Sequence, residues 1–102
     1  MEHVVIDSSV LVAYLLESDE FHQRSRHYVD GLEKGDYTFH LPMLVAVEVM
    51  ASVSRRTQSN RLAIINAWQQ TLLDWESDGK AILYPLKTFD TEILAQFPRA
   101  SV

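Results

Sequence analysis

Three acidic residues, Asp7, Glu48 and Asp90, stand at positions from which a chain of this pattern could assemble a metal site. Asp7 directly follows a short apolar run, Glu48 lies within a long apolar segment, and Asp90 follows a candidate late strand. A few carboxylates, with water completing the shell, form the all-oxygen coordination that Mg²⁺ and Mn²⁺ prefer. Such an ion can generate a hydroxide nucleophile and neutralise the charge that develops on a phosphodiester. The three acids therefore predict metal-assisted hydrolysis, provided that the fold brings them to one edge of a sheet.

The first acid, Asp7, joins a predicted strand to a predicted helix. Residues 4–6 read Val-Val-Ile, a β-branched run typical of a strand in a covered parallel sheet. Asp7, Ser8 and Ser9 follow, and small oxygen-bearing side chains of this kind cap the first free N–H groups of a helix. An acid at the carboxyl end of a buried strand lies where open α/β sheets bind their ligands. The same residues are explained equally well if Asp7 only caps the helix.

The second acid, Glu48, interrupts a helical pattern over residues 43–56 whose first three turns are otherwise almost entirely apolar. We expect this helix to be largely buried. A buried, unpaired carboxylate is costly, so Glu48 would need a cation, a hydrogen-bond partner or a raised pKa. In the alternative, Glu48 reaches solvent at the edge of the helix or pairs with Arg55 or Arg56.

The elements that must position these acids alternate along the chain. The patterns predict strands at 4–6, 37–41 and 81–84 and helices at 10–16, 20–34, 43–56 and 61–76. Residues 87–90 are a candidate end of a further strand, and residues 97–102 are expected to be extended. This order predicts an α/β fold, a three-layer α/β/α sandwich with a mainly parallel sheet and right-handed crossovers, as one domain over residues 1–102.

The tryptophans and the histidines have side chains that can bind ligands, but we interpret both groups as structural. In the last long helix, the two tryptophans are interpreted as core or helix-packing residues. Apolar residues recur at helical spacing along this segment: Leu62, Ile65, Trp68, Leu72 and Trp75. An exposed base-stacking role for the tryptophans would need further observations. The four histidines show no metal-ligand spacing, and we interpret all of them as structural or solvated.

Composition limits the class of protein. The chain of 102 residues has a net charge of −5, three Gly, three Pro and no Cys. A disulfide scaffold, thiolate zinc and thiol catalysis are therefore excluded, and a reducing compartment fits. No signal-like or membrane-spanning stretch is found, so we expect a soluble cytoplasmic protein. The acidic balance argues against bulk phosphate binding but leaves room for a local basic patch or a recruited cation.

Several short motifs occur in an order that resembles the PIN domain, in particular the VapC-type toxins of toxin–antitoxin pairs. Residues 4–14 read Val-Val-Ile-Asp-Ser-Ser-Val-Leu-Val-Ala-Tyr and resemble the family's opening. Leu-Pro at 41–42 with Glu-Val at 48–49 resembles its second acidic motif. Thr-Phe-Asp at 88–90, followed by Phe-Pro at 97–98, resembles its last motif. The resemblance covers nearly the whole chain, and its first motif, combined with a glutamate at that distance, is the most specific.

The resemblance implies a compact α/β/α fold with a five-stranded parallel sheet. It also implies Mg²⁺- or Mn²⁺-dependent endoribonuclease activity, often on tRNA or rRNA, inhibition by a cognate antitoxin protein and frequent homodimers. By position, Asp7 and Glu48 match metal-binding acids and Asp90 matches the late acid. Ser9 and Thr88 match polar neighbours that position the acids or water.

The resemblance is broken before the last motif. There the family has a helix beginning with another catalytic acid and then a buried strand, whereas residues 85–87 here run almost directly into Thr88, with no acid between Asp78 and Asp90. The missing segment would amount to roughly 25 residues. We therefore predict an internal deletion, a fold short of one strand and one helix, a metal site lacking one ligand, and an open sheet edge or apolar helix face. Alternatively, residues 83–88 serve as two strands, or a second chain fills the gap.

Two functional hypotheses follow. In the first, the chain is a toxin-type ribonuclease in which Asp7, Glu48 and Asp90 hold the cation. Basic residues near helix ends are then candidates for contact with RNA phosphate, although a solvated helix end is the favoured explanation for any one of them: Arg55, Arg56 and Arg61. In the second, the chain is a catalytically impaired remnant that acts by protein binding or self-association.

Overall fold

The structure, a computed structural model, describes residues 1–85 and 95–102. Within these ranges the elements follow one another as β1 (Glu2–Ile6), α1 (Ser8–Leu15), α2 (His22–Lys34), β2 (Tyr37–Pro42), α3 (Met43–Arg56), α4 (Arg61–Ser77), β3 (Ala81–Tyr84) and β4 (Arg99–Ala100). The predicted alternation of strands and helices is confirmed. α2 begins at His22 rather than at residue 20, and the predicted extended tail contains the short strand β4.

The strands form a parallel sheet in the order β3-β2-β1-β4. β1 pairs with β2 on one side and with β4 on the other, and β2 pairs with β3. The register aligns Val4 with Phe39, Phe39 with Ala81, and Ile6 with Ala100. This confirms the predicted α/β class with a parallel sheet. The described residues contribute four strands to the sheet, whereas the family resemblance implied five.

The four described helices pack on the same face of this sheet. Side chains alternate between the two faces of a strand, and the buried residues Val4, Ile6, Phe39 and Leu41 share one face. They join buried side chains from every described helix in a single core. The steps from β1 to β2 and from β2 to β3 run in the same direction. Right-handed crossovers therefore place the intervening helices on one face.

The connection from β3 to β4 crosses to the opposite edge of the sheet. Residues 86–94 of this connection lie outside the described residues. They include the candidate strand end at 87–90 and the predicted site residues Thr88 and Asp90. Helices α1 to α4 form the helical layer on the first face.

The tryptophans of α4 are core residues, as predicted. Trp68 and Trp75 are both buried and meet edge to face, with ring centroids 5.9 Å apart. Trp75 also meets Phe39 of β2 edge to face at 5.8 Å. Such pairs stabilise a core beyond the area that they bury. Leu62, in the first turn of α4, is 74% exposed and does not belong to this core.

Helix α3 is less buried than its composition predicted. Only Ala46, Val49 and Val53 are buried, whereas Leu44 is 50% and Val47 is 51% exposed. The expectation of a largely buried helix is therefore wrong. The physical reason is that α3 packs against its neighbours on one side only, and described residues do not cover its other side. An apolar face of α3 is thus open to solvent. An open apolar helix face is one of the two consequences that we predicted for a missing segment.

The second face of the sheet carries polar and aromatic side chains from three strands. His3 Nδ1 lies 2.9 Å from His40 Nε2, and His40 Nδ1 lies 2.6 Å from the hydroxyl oxygen of Tyr84. Phe97 stacks on His40 with ring centroids 4.4 Å apart. Burial lowers the pKa of His40, and the nearby charge of His3 lowers it further. His40 is therefore a structural histidine, and its stack with Phe97 anchors the segment that leads into β4.

In the part of the chain that the structure describes, no helix combines the length and the apolar character needed to cross a bilayer.

Candidate active site

Asp7 lies at the carboxyl edge of the sheet, between β1 and α1. It is the N-cap of α1 and has an extended backbone, with φ −80° and ψ 150°. Its Oδ2 atom accepts a hydrogen bond of 3.1 Å from the backbone N–H of Ser9. The apolar residues that follow are buried and fix the helix in place. Asp7 therefore caps the helix, and at the same time its side chain remains 22% exposed at the edge where α/β sheets bind ligands.

An arginine of the last strand contacts this acid. In the β1–β4 pairing Arg99 is aligned with Val5, and its Nη2 atom donates a hydrogen bond to Asp7 Oδ1. Burial raises the pKa of Asp7, but the hydrogen bonds from Ser9 and Arg99, together with the charge of Arg99, lower it more. The net effect is a pKa below the usual range. The carboxyl group is therefore ionised at neutral pH, as a cation ligand must be.

An open groove of about 250 Å³ lies beside the first turn of α1. It is lined by residues from α1, from the α1–α2 connection, from the second half of α3 and from the carboxyl terminus: Ser8, Ser9, Val12, Asp19, Phe21, Ser52, Arg56 and Val102. The groove thus presents hydroxyl groups, one acid and one arginine next to the residue that follows Asp7. This composition can contact a phosphodiester through hydrogen bonds and charge.

Arg56, one of the predicted RNA-binding residues, lies in this groove and forms an ion pair. Its Nη1 atom lies 2.8 Å from Asp19 Oδ2. A backbone hydrogen bond from Phe21 lowers the pKa of Asp19, and Arg56 contributes to lowering it against the opposing effect of burial. Sequence reasoning did not single out Asp19, although its place in a charged connection directly before α2 was a usable signal.

Glu48 is exposed on α3. The expectation of a buried carboxylate is therefore wrong, and the alternative, that Glu48 reaches solvent, is confirmed. Glu48 precedes Ser52 by four residues in the same helix, so the two residues lie on the same side of α3 one turn apart. Because Ser52 lines the groove, this places Glu48 on the groove side of the helix.

The other two predicted RNA-binding arginines make short-range contacts near helix ends. Arg55 Nη2 donates to the hydroxyl of Ser52 at 3.2 Å. Arg61 donates through Nε and Nη2 to the backbone oxygen of Thr57 at 3.3 and 3.0 Å. Both arginines are exposed. Their positions at helix ends agree with the alternative that they are solvated ends of helices.

The described residues include oxygen donors of the kind that the sequence predicts for a cation. Asp7 and Glu48 offer carboxylate oxygens, and Ser9 offers a hydroxyl, which are hard donors that suit Mg²⁺ or Mn²⁺. Within residues 1–85 and 95–102, no group of three or more His, Asp or Glu residues is placed to hold a metal ion. Mg²⁺ is nevertheless often held by one or two carboxylates with water and substrate phosphate completing the shell. The donor chemistry therefore fits this class of cation.

Comparison with protein families places this geometry in context. The family model described as PIN domain matches residues 4–97, which include the end of β1, Asp7, α3 and the groove-lining Arg56. No curated protein matches the chain significantly by sequence. PIN domains are generally nucleases that act on RNA and use divalent cations such as Mg²⁺. The long match, the parallel sheet and the acid at its carboxyl edge agree with one another, and the chain belongs to the PIN domain family.

Proposed function

We propose that this protein is a toxin-type endoribonuclease that depends on Mg²⁺ or Mn²⁺ and hydrolyses RNA phosphodiester bonds. The observation that carries the proposal is Asp7, an ionised and partly exposed acid at the carboxyl edge of a parallel sheet, beside a polar groove in a PIN-family chain. Asp7, Glu48 and Asp90 would hold the cation, Asp90 on the strength of the resemblance alone. The bound cation would supply an activated water and neutralise the charge that develops on the phosphate.

The protein's own contribution begins with the orientation of Asp7. Because Oδ2 is fixed by the backbone N–H of Ser9, the side chain is held in one direction before any ligand binds. Ser9 thus acts as a positioning residue, as the resemblance implies for it and for Thr88. The hydroxyl of Ser9 also accepts from the backbone N–H of Val102 at 3.4 Å, which ties the chain end to the site.

Arginines next to the groove would bind the phosphates that flank the cleaved bond. Arg56 is the best placed of the three candidates, since it lines the groove. In its ion pair with Asp19, the Arg56 side chain is 44% exposed and the Asp19 side chain is 12% exposed. The Arg56 guanidinium is therefore partly open to solvent, where an RNA phosphate would contact it. Arg55, in the last turn of α3, and Arg61, the first residue of α4, would extend the contact along the RNA.

A protein partner is part of the proposal, either a cognate antitoxin or a second copy of the chain. Support comes from α3, which exposes the apolar side chains of Met43, Leu44 and Val47 at its start. Such a group of exposed apolar side chains is typical of an interface. Light scattering of Leu44→Glu beside the wild type tests self-association: the wild type would be a dimer and the variant a monomer. A wild type that is monomeric at all concentrations would leave antitoxin binding as the role of this face.

We also propose that the chain carries an internal deletion relative to the toxins it resembles. β3 ends at Tyr84 and β4 begins at Arg99, and a further helix and strand with their loops would require roughly 25 additional residues. The deletion would remove one acid from the cation site. We therefore expect cation affinity below that of a site with four acids.

The test is cleavage of a mixed pool of tRNA and rRNA in Mn²⁺, with and without chelator. The wild type is expected to cleave only in the presence of the cation, and both Asp7→Asn and Glu48→Gln are expected to abolish cleavage. Asp30→Asn is the matched control, because Asp30 is exposed on α2 and its substitution removes the same charge. Cleavage by Asp7→Asn at the wild-type rate, or cleavage that survives chelation, would overturn the proposal.

A further inference from the structure

Both carboxylate oxygens of Asp7 are already engaged by the chain itself. Oδ2 accepts from the backbone N–H of Ser9, and Oδ1 accepts from the guanidinium of Arg99. The Ser9 contact is a helix cap and leaves the charge of the acid uncompensated. The Arg99 contact differs, because it places a permanent positive charge on the oxygen that faces away from the helix.

The backbone delivers Arg99 to this oxygen. β4 is held beside β1 by hydrogen bonds from the Val5 N–H to the Pro98 oxygen at 2.8 Å and from the Asp7 N–H to the Ala100 oxygen at 3.0 Å. Arg99 is aligned with Val5, and side chains two residues apart on a strand point to the same side. Arg99 therefore emerges next to Asp7 as a consequence of strand pairing.

The ion pair between Arg99 and Asp7 can open and close without a change in the fold. The side chain of Arg99 is 71% exposed, so the guanidinium can leave Asp7 and enter water without disturbing the core. Exposed pairs of this kind are weak, because the Coulomb gain is screened and the side-chain entropy opposes it. While it is formed, however, the pair places a positive charge where a divalent cation would bind, and like charges at such a distance repel.

We propose that Arg99 is an internal competitor of the divalent cation at Asp7. The inference rests on the proposed function, since it takes Asp7 to be a cation ligand. The guanidinium occupies Oδ1 until a cation displaces it, and β4 thereby sets the concentration of cation that the site requires. Arg99 would thus restrain the nuclease from within its own chain, through an ion pair formed by the last strand of the sheet.

Calorimetric titration of Mn²⁺ alone, without RNA, tests this inference. Because an exposed ion pair is worth up to about 1 kcal/mol, Arg99→Ala is expected to bind Mn²⁺ roughly two- to fivefold more tightly than the wild type. Arg99→Gln removes the positive charge but keeps a side-chain N–H donor, so it is expected to bind more tightly than the wild type and no more tightly than Arg99→Ala. Arg26→Ala removes the same charge from an exposed position of α2 and is expected to leave the affinity unchanged. Circular dichroism confirms that each variant is folded.

The outcomes separate this inference from the proposed function. If Arg99→Ala and Arg99→Gln bind Mn²⁺ with wild-type or weaker affinity while Asp7→Asn loses binding, Asp7 is a ligand and Arg99 does not compete. An equal gain in Arg26→Ala would also overturn the inference, because net charge alone would then explain it. Binding that survives Asp7→Asn would overturn the proposed site itself. The double variant Asp7→Asn with Arg99→Ala is expected to bind no Mn²⁺.

Discussion

Asp7 carries two roles, helix cap and proposed cation ligand, and substitutions can separate them. Asn is as good an N-cap as Asp, so Asp7→Asn retains the hydrogen bond from the Ser9 N–H. It removes the carboxylate that pairs with Arg99. Asp7→Ala removes both the cap and the charge. Comparing the two variants therefore assigns a free energy to each role.

The magnitudes follow from the contacts. Loss of an N-cap to Ala costs about 1 kcal/mol, within a range of about 0.5–2 kcal/mol. The pair with Arg99 contributes at most about 1 kcal/mol, because the arginine is mostly exposed. We therefore expect Asp7→Asn to lower the free energy of unfolding by less than about 1 kcal/mol and Asp7→Ala to lower it by about 1–2 kcal/mol.

The assay is urea unfolding at pH 7, repeated at pH 3. The folded-state pKa of Asp7 lies below the ordinary aspartate pKa of about 3.8. The stability from its charge is therefore present above that ordinary value and is lost as the pH falls through the folded pKa. The difference between wild type and Asp7→Asn should therefore shrink at low pH. If Asp7→Asn is as destabilised as Asp7→Ala, the carboxylate charge and not the cap holds α1, and the reasoning is refuted.

Three further predictions address the packing around the site. Gly31→Ala would place a Cβ 2.5 Å from ring atoms of Tyr37. Because overpacking costs about 1–3 kcal/mol and the gain in helix propensity is about 1 kcal/mol, the free energy of unfolding measured in urea should fall. The pKa of His40 is lowered in the folded protein, so the free energy of unfolding should fall as the pH drops from 7.5 to 5. The fall should be smaller in His40→Gln, and a wild-type free energy of unfolding that does not change over this pH range would contradict the prediction. Arg56→Ala breaks the pair with Asp19 but should lower stability by less than about 1 kcal/mol while weakening RNA binding, as measured by filter retention.

The junction of β1 and α1 could be predicted because its determinants are local. A β-branched run, an acid and two serines specify a strand end and a helix cap within a few residues, and the structure contains both. The order of the strands along the chain followed from the same local patterns. Their lateral order in the sheet, with β4 beside β1, depends on long-range pairing that no local pattern encodes.

The burial of α3 could not be predicted because composition does not report how many sides of a helix are covered. Its buried and exposed apolar residues are of the same types, for example Val49 and Val47. Glu48 was misjudged for the same reason, since its burial was inferred from its apolar neighbours. Which face of the sheet a helix covers depends on the handedness and direction of each crossover. The directions become known only once the order of the strands in the sheet is known.

The contact between Arg99 and Asp7 joins residues 92 positions apart in the chain. Judged from its neighbours in sequence, Asp7 is explained as a helix cap, and Arg99 is explained as a solvated polar residue. Their meeting depends on β4 pairing with β1 in one register, which the sequence alone did not specify. An arginine in a terminal strand parallel to the strand that carries the acid is the pattern that could have pointed to it.

The central claim, that the carboxyl edge at Asp7 holds a divalent cation, is tested most directly by nuclear magnetic resonance during Mn²⁺ titration. Mn²⁺ broadens the signals of nearby amides. We predict that the amides of Ser9 and Ala100, beside Asp7, broaden first. The amide of Gly35, which precedes β2 at the opposite edge of the parallel sheet, should stay sharp, and Asp7→Asn should abolish the effect. Broadening that is absent, or that is centred elsewhere and persists in Asp7→Asn, would contradict the account.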